Sequence, residues 1–297
     1  IYAFGTSPIT QALPALTMKK RIHAPVILHV QDLWPENVLV LTGIKNKLLI
    51  EGLDRMVDSI YNRCDRILGT SQSFVEAIRA RRGLRNKSKV GYWPQYSVVA
   101  RTQETVDGMF DSSCFNVVFT GNVGEGQGLP MLIEAAHICR DTKIRWHIVG
   151  SGRDLLHIQK LAKEKQVENL VTFHGRKPEA EIPAILNGAD AALMIINPNP
   201  IFEKTIPAKF QTYLACGCAV LGCMEGEIKR LIQKNHVGMC ADHISARSLA
   251  RCAKEMSMCS RDELLSFREN ALELSKREFD CDRLIDGLIE DMKRLCR

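Results

Sequence analysis

Residues 205–220 have the side chains and the spacing of a phosphate-binding site. Pro207 suits the first position of a helix and Gly217 suits the position just past its end, so these residues predict one short helix. The start of a helix carries unpaired N–H groups and the positive end of the dipole, and Lys209 adds an ammonium group in the first turn. The spacing therefore indicates an anion site, most simply for phosphate. An ordinary helix with a single surface lysine fits the same spacing.

Glycine-rich turns follow several predicted strands in the second half of the chain. The strands are predicted at residues 115–120, 143–149, 170–174 and 189–196. Because the carboxyl ends of parallel strands share one sheet edge, we expect these turns to converge with the helix start at Pro207, and the simplest ligand there is a nucleotide diphosphate. Taken singly, each turn is also typical of an ordinary strand-to-helix connection. The turns supply Gly121, Asn122, Gly124, Gln127, Gly150, Gly152 and Arg176.

Other nucleotide-binding and catalytic motifs are missing from the sequence. The third glycine of a dinucleotide-binding turn falls on Leu155, which argues against hydride transfer, and no GxxxxGKS/T sequence supports a P-loop kinase or ATPase. No GxSxG elbow supports a serine hydrolase, and the 8 histidines have no metal-ligand spacing. We interpret His29, His147 and His174, which lie on predicted strands, as structural.

Strand, turn and helix recur about every 25 to 30 residues, which predicts an α/β protein with doubly wound parallel sheets. In the first part of the chain, a buried strand at residues 25–30 ends near Asp32 and Glu36, where a ligand is expected. The predicted domains are a first Rossmann-like domain at 1–96, incomplete at its start, a linker at 97–113, a nucleotide-binding Rossmann-like domain at 114–276 and a C-terminal helix at 277–297 that packs back on the first domain.

Composition and charge restrict the class of protein. With 45% hydrophobic residues the 297-residue chain is globular, and no run of 18 apolar residues predicts a membrane-spanning helix. The 11 scattered cysteines favour a reduced cytosolic protein without structural zinc. The net charge of +6 is concentrated in six cations at residues 79–89. This basic stretch favours anionic lipid head groups or a lipid diphosphate over nucleic acid, since no aromatic residues interleave with it, and a solvated helix end is the alternative.

Five sequence blocks together resemble glycosyltransferase family 4. The nearest branch includes bacterial N-acetyl-fucosamine transferases of surface-polysaccharide synthesis, and the likeness covers nearly the whole chain. The resemblance implies the GT-B fold, with two facing doubly wound domains, a nucleotide sugar held mainly by the second domain and an acceptor held mainly by the first. The blocks are DLWPE at 32–36, FTGNVG at 119–124 with Gln127 and Gly128, VGSG at 149–152, FHGR at 173–176, and PAK at 207–209 with YLACG at 213–217.

The resemblance also implies roles for the residues that contact the donor. Lys209 would neutralise the diphosphate leaving group, helped by N–H groups of the Gly121 turn and of the helix start at Pro207. Arg176 would border the base, although a plain salt bridge is the alternative. Family members commonly have an arginine and a lysine where this chain has Asn122 and Gln127, so more of the positive charge falls to Lys209.

Carboxylates complete the site that the resemblance implies. The family's paired glutamates fall on Glu203 and Gln211, and Gln211 can still hydrogen-bond a ribose hydroxyl. Asp32 takes the place of a polar residue close to the donor sugar, either as a base or as a group that positions a sugar hydroxyl. No metal and no cofactor beyond the nucleotide-sugar substrate are expected.

The family implies a retaining transferase that moves a hexose or an N-acetylhexosamine from a nucleotide-diphosphate sugar, with UDP as the expected nucleotide. The expected acceptor is a polyprenyl-diphosphate-linked glycan of capsule or O-antigen synthesis, and the expected location is the cytoplasmic face of the plasma membrane. A GT-B-type UDP-N-acetylglucosamine 2-epimerase is an alternative. Because the chain opens inside a strand and without methionine, a truncated, inactive chain that binds nucleotide sugar and needs a partner is another.

Overall fold

The computed structural model describes residues 1–98 and 102–296, so residues 99–101 of the predicted linker and residue 297 of the predicted C-terminal segment lie outside the described residues. The chain divides into two compact units. The first unit comprises Ile1–Gln95, Lys204–Ile206 and Cys281–Arg297, and the second comprises Tyr96–Glu203 and Pro207–Asp280. Each unit contains one all-parallel sheet, which confirms the predicted α/β class with two Rossmann-like sheets.

The first unit is built on a sheet of order β1-β2-β3-β4. All four residues of its second strand are buried, as expected for a parallel strand covered on both faces. His29 lies on that strand, and its Nδ1 shares a 2.7 Å hydrogen bond with Tyr2 Oη. Burial lowers the pKa of His29 to about 4, so the ring is neutral, in line with the predicted structural role. The elements are β1 Tyr2–Gly5, α1 Ala12–Ile22, β2 Ile27–Val30, α2 Glu36–Thr42, α3 Lys47–Arg63, β3 Arg66–Gly69, α4 Gln72–Ala80 and β4 Val90–Tyr92.

The sequence predicts one helix after β2, over residues 44–63. Helix α3 occupies that region, and a further helix, α2, precedes it. Gly43, at φ 65°, ends α2, and its N–H donates to Leu39 O at 2.9 Å. The Asn46 side chain accepts from the backbone N–H groups of Leu48 and Leu49 and so begins α3. The earlier helix is missed by sequence reasoning because β-branched valines lower its helix propensity.

The basic stretch at residues 79–89 is partly used inside the first unit. Arg81 pairs with Asp54 at 2.7 Å and with Asp58 at 2.6 Å, and only 11% of its side chain is exposed. Lys89 Nζ donates to Cys64 O at 2.7 Å, just past the end of α3. Arg79 donates to a backbone carbonyl of β4. Half of the cations that the sequence assigned to an anionic partner therefore hold the fold together.

The second unit is built on a six-stranded sheet of order β10-β9-β8-β5-β6-β7, the order of a Rossmann fold. The direction of winding reverses between the adjacent strands β5 and β8, which creates a crevice at their carboxyl ends. The elements are β5 Phe115–Thr120, α5 Leu129–Ile138, β6 Ile144–Val149, α6 Leu155–Glu164, β7 Val171–Gly175, α7 Ile182–Gly188, β8 Ala191–Ile195, α8 Ala208–Ala215, β9 Val220–Cys223, α9 Glu227–Asn235, β10 Gly238–Cys240, α10 Ala246–Ser257 and α11 Arg261–Glu278.

Two of the predicted structural histidines lie on neighbouring strands of the second sheet. His147 hydrogen-bonds Asn116 Oδ1 at 3.1 Å and His174 Nε2 at 3.0 Å. The Asn116 amide nitrogen donates to backbone carbonyls, so its oxygen faces an N–H of His147. Burial lowers the pKa of His147 to about 4, and the neutral ring then accepts from His174. Both histidines serve the packing of this unit.

The last helix, α12 Cys281–Leu295, belongs to the first unit. The Trp93 indole donates to Leu284 O at 2.8 Å, and Arg66 pairs with Asp291 at 2.9 Å. Both contacts join this helix to the sheet at β3 and just after β4. Within the part of the chain that the structure describes, no helix is long and apolar enough to cross a membrane.

Candidate functional site

A cavity of about 390 Å³ opens at the carboxyl edge of the second sheet. This volume falls within the range of small-molecule sites. Four residues predicted from the sequence line the cavity, namely Gly121, Asn122, Gly150 and Arg176. Lys177 and Glu179 also line it, and sequence reasoning missed both although they lie one and three residues after Arg176. The remaining lining residues are Val149, Ser151 and Ile182.

Three strand-to-helix turns meet at this edge through backbone hydrogen bonds. Gly121 N donates to Val149 O at 2.9 Å, and Gly150 N donates to Gly175 O at 2.8 Å. The approach is so close that a Cβ on Gly150 would lie 1.8 Å from Gly121 O, and a Cβ on Gly152 would lie 2.1 Å from Val123 O. Glycine is therefore required where these turns touch, and the convergence of turns around a common edge is as predicted.

The first of these turns, after β5, places its two polar side chains, Asn122 and Gln127, in different surroundings. Asn122 is exposed on the cavity wall, and its amide lies so near Gly124 that a Cβ there would approach Nδ2 to 2.9 Å. Gln127 lies further along, at the end of a short 3-10 turn, where its side chain accepts a hydrogen bond from Lys209. The two residues thus hold separate places, Asn122 on the cavity and Gln127 against the lysine.

Helix α8 begins at the edge where β5 and β8 are neighbours. The sequence predicts Pro207 as the first helical residue, but the helix starts one residue later, at Ala208. Pro207 has an extended backbone and directly precedes the helix. Gly217, at φ 63°, stands just past the helix end as predicted. Buried Tyr213 accepts a hydrogen bond from Thr120 N at 3.1 Å, which fixes this helix against the end of β5.

Lys209 is held beside the glycine turn by groups that carry no opposite charge. Its Nζ lies 4.2 Å from the centroid of the Phe119 ring and donates to Gln127 Oε1. A Cβ on Gly121 would lie 3.8 Å from the same nitrogen. Burial lowers the pKa of Lys209 to about 7. A desolvated ammonium next to backbone N–H groups, with no carboxylate partner in the part of the chain that the structure describes, is suited to receive an anion.

Arg176 is exposed on the cavity wall just beyond β7. Among the residues that the structure describes it makes no ion pair, so the salt-bridge alternative has no support and the guanidinium is available to a ligand. Its neighbour Lys177 adds a second cation to the same wall, and Glu179 adds one carboxylate. This end of the cavity is therefore polar and of mixed charge.

The two residues at the positions of the family's paired glutamates are placed apart from the large cavity. Glu203 is half-buried and lines a small recess with Met224 and Ile244. Gln211 is only 1% exposed, and neither atom of its amide has a hydrogen-bond partner among the described residues. An unpaired buried amide costs about 1–3 kcal/mol, so a water or ligand hydroxyl is expected there. A ribose hydroxyl reaches this amide only if its side chain moves.

Asp32 lies in the first unit, in the loop that follows β2, and its carboxylate is held from two sides. Ser7 Oγ donates to Oδ2 at 2.8 Å and Asn37 Nδ2 donates to Oδ1 at 2.9 Å. The Trp34 indole N–H donates to Ser7 Oγ at 3.1 Å and so orients the serine. Each carboxylate oxygen keeps a lone pair for a further donor, such as a sugar hydroxyl. Ser7 was missed because 25 residues separate it from Asp32.

Glu36, the second carboxylate expected at the end of β2, differs from Asp32. It is the first residue of α2, and its Oε2 is buried without a hydrogen-bond partner among the described residues. Across those same residues, no group of three or more histidine, cysteine or acidic side chains gathers as a metal site. The absence of metal and cofactor thus stays a prediction.

In a comparison with known protein families, residues 114–257 match the family model "Glycosyl transferases group 1". The chain is 23% identical to the "Putative colanic acid biosynthesis glycosyl transferase WcaI" of Escherichia coli K12, over 97% of this chain and 73% of that protein. It is 25% identical to the "Probable glycosyltransferase WbjE" of Pseudomonas aeruginosa, over 93% of this chain and 70% of that protein.

Among solved structures, the chain is similar to Anabaena Alr3699/HepE, which was crystallised in complex with UDP. The TM-score is 0.77 at 14% identity, and the match covers 96% of this chain and 76% of that one. A likeness at this identity concerns the fold. The likeness to such structures confirms the GT-B fold class predicted from the sequence.

Proposed function

We propose that the protein transfers a sugar from a nucleotide-diphosphate donor to a glycan acceptor. The match of residues 114–257 to the family model for group 1 glycosyl transferases and the fold shared with Anabaena Alr3699/HepE support this proposal. The observation that carries the proposal is the desolvated Lys209 ammonium beside the Gly121 turn and the start of α8, with which no carboxylate of the described residues pairs. A diphosphate leaving group requires stabilisation of this kind.

We propose UDP as the nucleotide of the donor. The complex of the Anabaena neighbour with UDP supports this choice, as does the size of the cavity beside the glycine turns. Arg176 and Lys177 would border the base and ribose, and Gln211 would bond a ribose hydroxyl after a side-chain movement. The transferred group would be a hexose or an N-acetylhexosamine, in line with the branch that includes N-acetyl-fucosamine transferases.

We propose that the reaction retains the anomeric configuration and serves the synthesis of a surface polysaccharide, such as capsule or O-antigen. The name of the Escherichia coli relative, a putative colanic acid biosynthesis glycosyl transferase, supports the class of pathway, and the name of the Pseudomonas aeruginosa relative supports glycosyl transfer. The acceptor would be a glycan on a polyprenyl diphosphate at the cytoplasmic face of the plasma membrane. Asp32, oriented by Ser7 and Asn37, would hold or deprotonate the acceptor hydroxyl.

Calorimetric titration of the 297-residue chain with UDP and UDP-N-acetylhexosamines tests the donor site. We expect dissociation constants between about 1 μM and a few millimolar, and weaker binding of ADP and GDP. Failure of every UDP species to bind the folded chain would contradict the proposal.

The affinity for UDP is expected to fall as the pH rises above 7. Lys209 of the free protein loses its proton near pH 7, whereas a bound diphosphate favours the ammonium and raises its pKa. Binding above pH 7 therefore takes up a proton, and affinity drops by at most about tenfold per pH unit. A phosphate with a second pKa near 6 is already ionised there, so the ligand charge does not change.

Titrations at pH 7, 8 and 9, in buffers of different ionisation enthalpy, measure both the affinity and the proton uptake. The control is Lys209→Arg, which stays charged over this range and should show a flat profile. An affinity that rises with pH, or an equal slope in the arginine variant, would refute the assignment of this dependence to Lys209.

A further inference from the structure

The small recess that Glu203 lines lies at the same edge of the second sheet as the large cavity, but further along it. The large cavity is lined by residues that end or follow β5, β6 and β7, and the recess by residues that follow β8, β9 and β10. In the strand order β10-β9-β8-β5-β6-β7 these two sets lie on opposite sides of the β5–β8 pair. Lys209 stands at that pair, on the ring of Phe119 in β5. A donor with its diphosphate on Lys209 and its nucleoside in the large cavity therefore directs its sugar towards the recess.

The walls of the recess are mostly apolar. Ile196 and Met224 are buried, and the Phe202 ring is 40% exposed. The other apolar residues of the wall are Pro198 and Ile244. The volume of about 10 Å³ is room for one group about the size of a water molecule. Because apolar cavities stay dry, a methyl group suits these walls better than a hydroxyl or a water.

Backbone contacts give the recess a fixed shape. Asn197 N donates to Gly126 O at 3.1 Å, which joins the loop after β8 to the glycine turn after β5. The Phe202 ring lies on the same turn, since a Cβ on Gly126 would be 3.4 Å from its Cε2. On the other side, Gly226 has a φ of +88°, and a Cβ there would be only 2.0 Å from Glu203 O. The recess is therefore rigid and adjoins the turn that contacts Lys209.

Two carboxylates line the recess, and one of them is neutralised. Lys229 Nζ donates to Glu225 Oε1 at 2.8 Å and to Asp242 O at 2.9 Å. Glu203, by contrast, makes no ion pair with any residue that the structure describes. An ionised carboxylate only accepts hydrogen bonds, so Glu203 is suited to sugar hydroxyls. The recess thus combines apolar space for one methyl group with an acceptor for hydroxyls.

We infer that the recess holds a methyl group of the transferred sugar while Glu203 accepts one of its hydroxyls. The inference rests on the proposed function and narrows its substrate class to a sugar with an acetamido group or a 6-deoxy carbon. Both groups end in a methyl, whereas an unmodified hexose offers a hydroxyl or a hydroxymethyl at the same positions. A hydroxyl against the apolar walls would give up its hydrogen bonds to water without replacement.

Calorimetric titration of the whole chain with UDP, UDP-glucose, UDP-N-acetylglucosamine and UDP-6-deoxyglucose tests this inference. We expect a methyl-bearing donor to bind at least about tenfold more tightly than UDP-glucose, which is the usual effect of one apolar group in a fitted pocket. An advantage of UDP-N-acetylglucosamine assigns the recess to the acetamido methyl. An advantage of UDP-6-deoxyglucose assigns it to the methyl at C6.

Two variants change the walls of the recess. Phe202→Ala removes one wall and should reduce the advantage of the methyl-bearing donor to less than about threefold, because the methyl group then meets water. Met224→Gln makes another wall polar and should reduce the advantage in the same way. The matched control is Phe4→Ala in the first unit, since Phe4 is 52% exposed and does not line the recess. The advantage should persist in this control.

The titrations separate failure of this inference from failure of the proposed function. Equal affinities for UDP-glucose and both methyl-bearing donors overturn the inference, and so does an advantage that Phe202→Ala leaves unchanged. UDP has no sugar, so its affinity reports on the donor site alone. If UDP binds without any advantage of a methyl group, only the inference fails, whereas a folded chain that does not bind UDP contradicts the proposed function itself.

Discussion

Replacement of Lys209 by alanine is expected to lower the affinity for UDP by at least about 100-fold, a loss of about 3 kcal/mol that is typical of removing one partner of a desolvated charge pair. No other cation lies in the first turn of α8, and the residue that Lys209 contacts on the first glycine turn, Gln127, is neutral. The diphosphate would therefore keep only backbone N–H groups and the more distant cations of the cavity. Calorimetry at pH 7 and low salt measures the loss.

Controls restrict this result to the ammonium group. Lys209→Met keeps the packing on Phe119 and should lose as much affinity as the alanine variant, which assigns the loss to charge. Asp32→Ala, in the first unit, should leave UDP affinity unchanged and reduce transfer to an acceptor. If the alanine variant binds UDP as wild type does, the central assignment of the donor site is wrong.

Replacement of Gly150 by alanine is expected to destabilise the second unit by at least about 3 kcal/mol, because a backbone region that disfavours side chains adds to a direct clash. Gly150 has a φ of +152°, and its new Cβ would lie 1.8 Å from Gly121 O, a backbone atom that cannot rotate away. For a unit of this size the midpoint of thermal unfolding should fall by about 6–12 °C. UDP affinity should also fall, since the turns after β5 and β6 are forced apart.

The matched control for Gly150 is Gly108→Ala. Gly108 has a φ of +69° and no atom within 4 Å of a built Cβ, so only the backbone strain of about 1–2 kcal/mol remains. Calorimetric or circular-dichroism melting of both variants compares the two sites. Equal melting temperatures would contradict the proposed clash between the turns.

The elements that carry the site are largely determined by local sequence. The glycines of the turns mark close backbone contacts, and Gly217 marks the end of α8, because each reflects a conformation of only a few residues. The alternation of apolar strands and helices likewise determines the parallel α/β class. The exact bounds of helices are predicted less well from the sequence, because helix propensity is a weak signal near a helix end. The position of Pro207 and the missed helix α2 are examples.

Which residues meet was decided by the tertiary structure. Lys209 reaches the Gly121 turn because β5 pairs with β8, two strands far apart in the chain, and the same pairing places Phe119 under the ammonium. The tertiary structure also commits Arg81 and Lys89 to internal contacts. Residue types and short spacings determine turns, caps and periodicity, whereas strand order and burial arise from long-range packing, and those long-range contacts lower the pKa of Lys209 and orient Asp32.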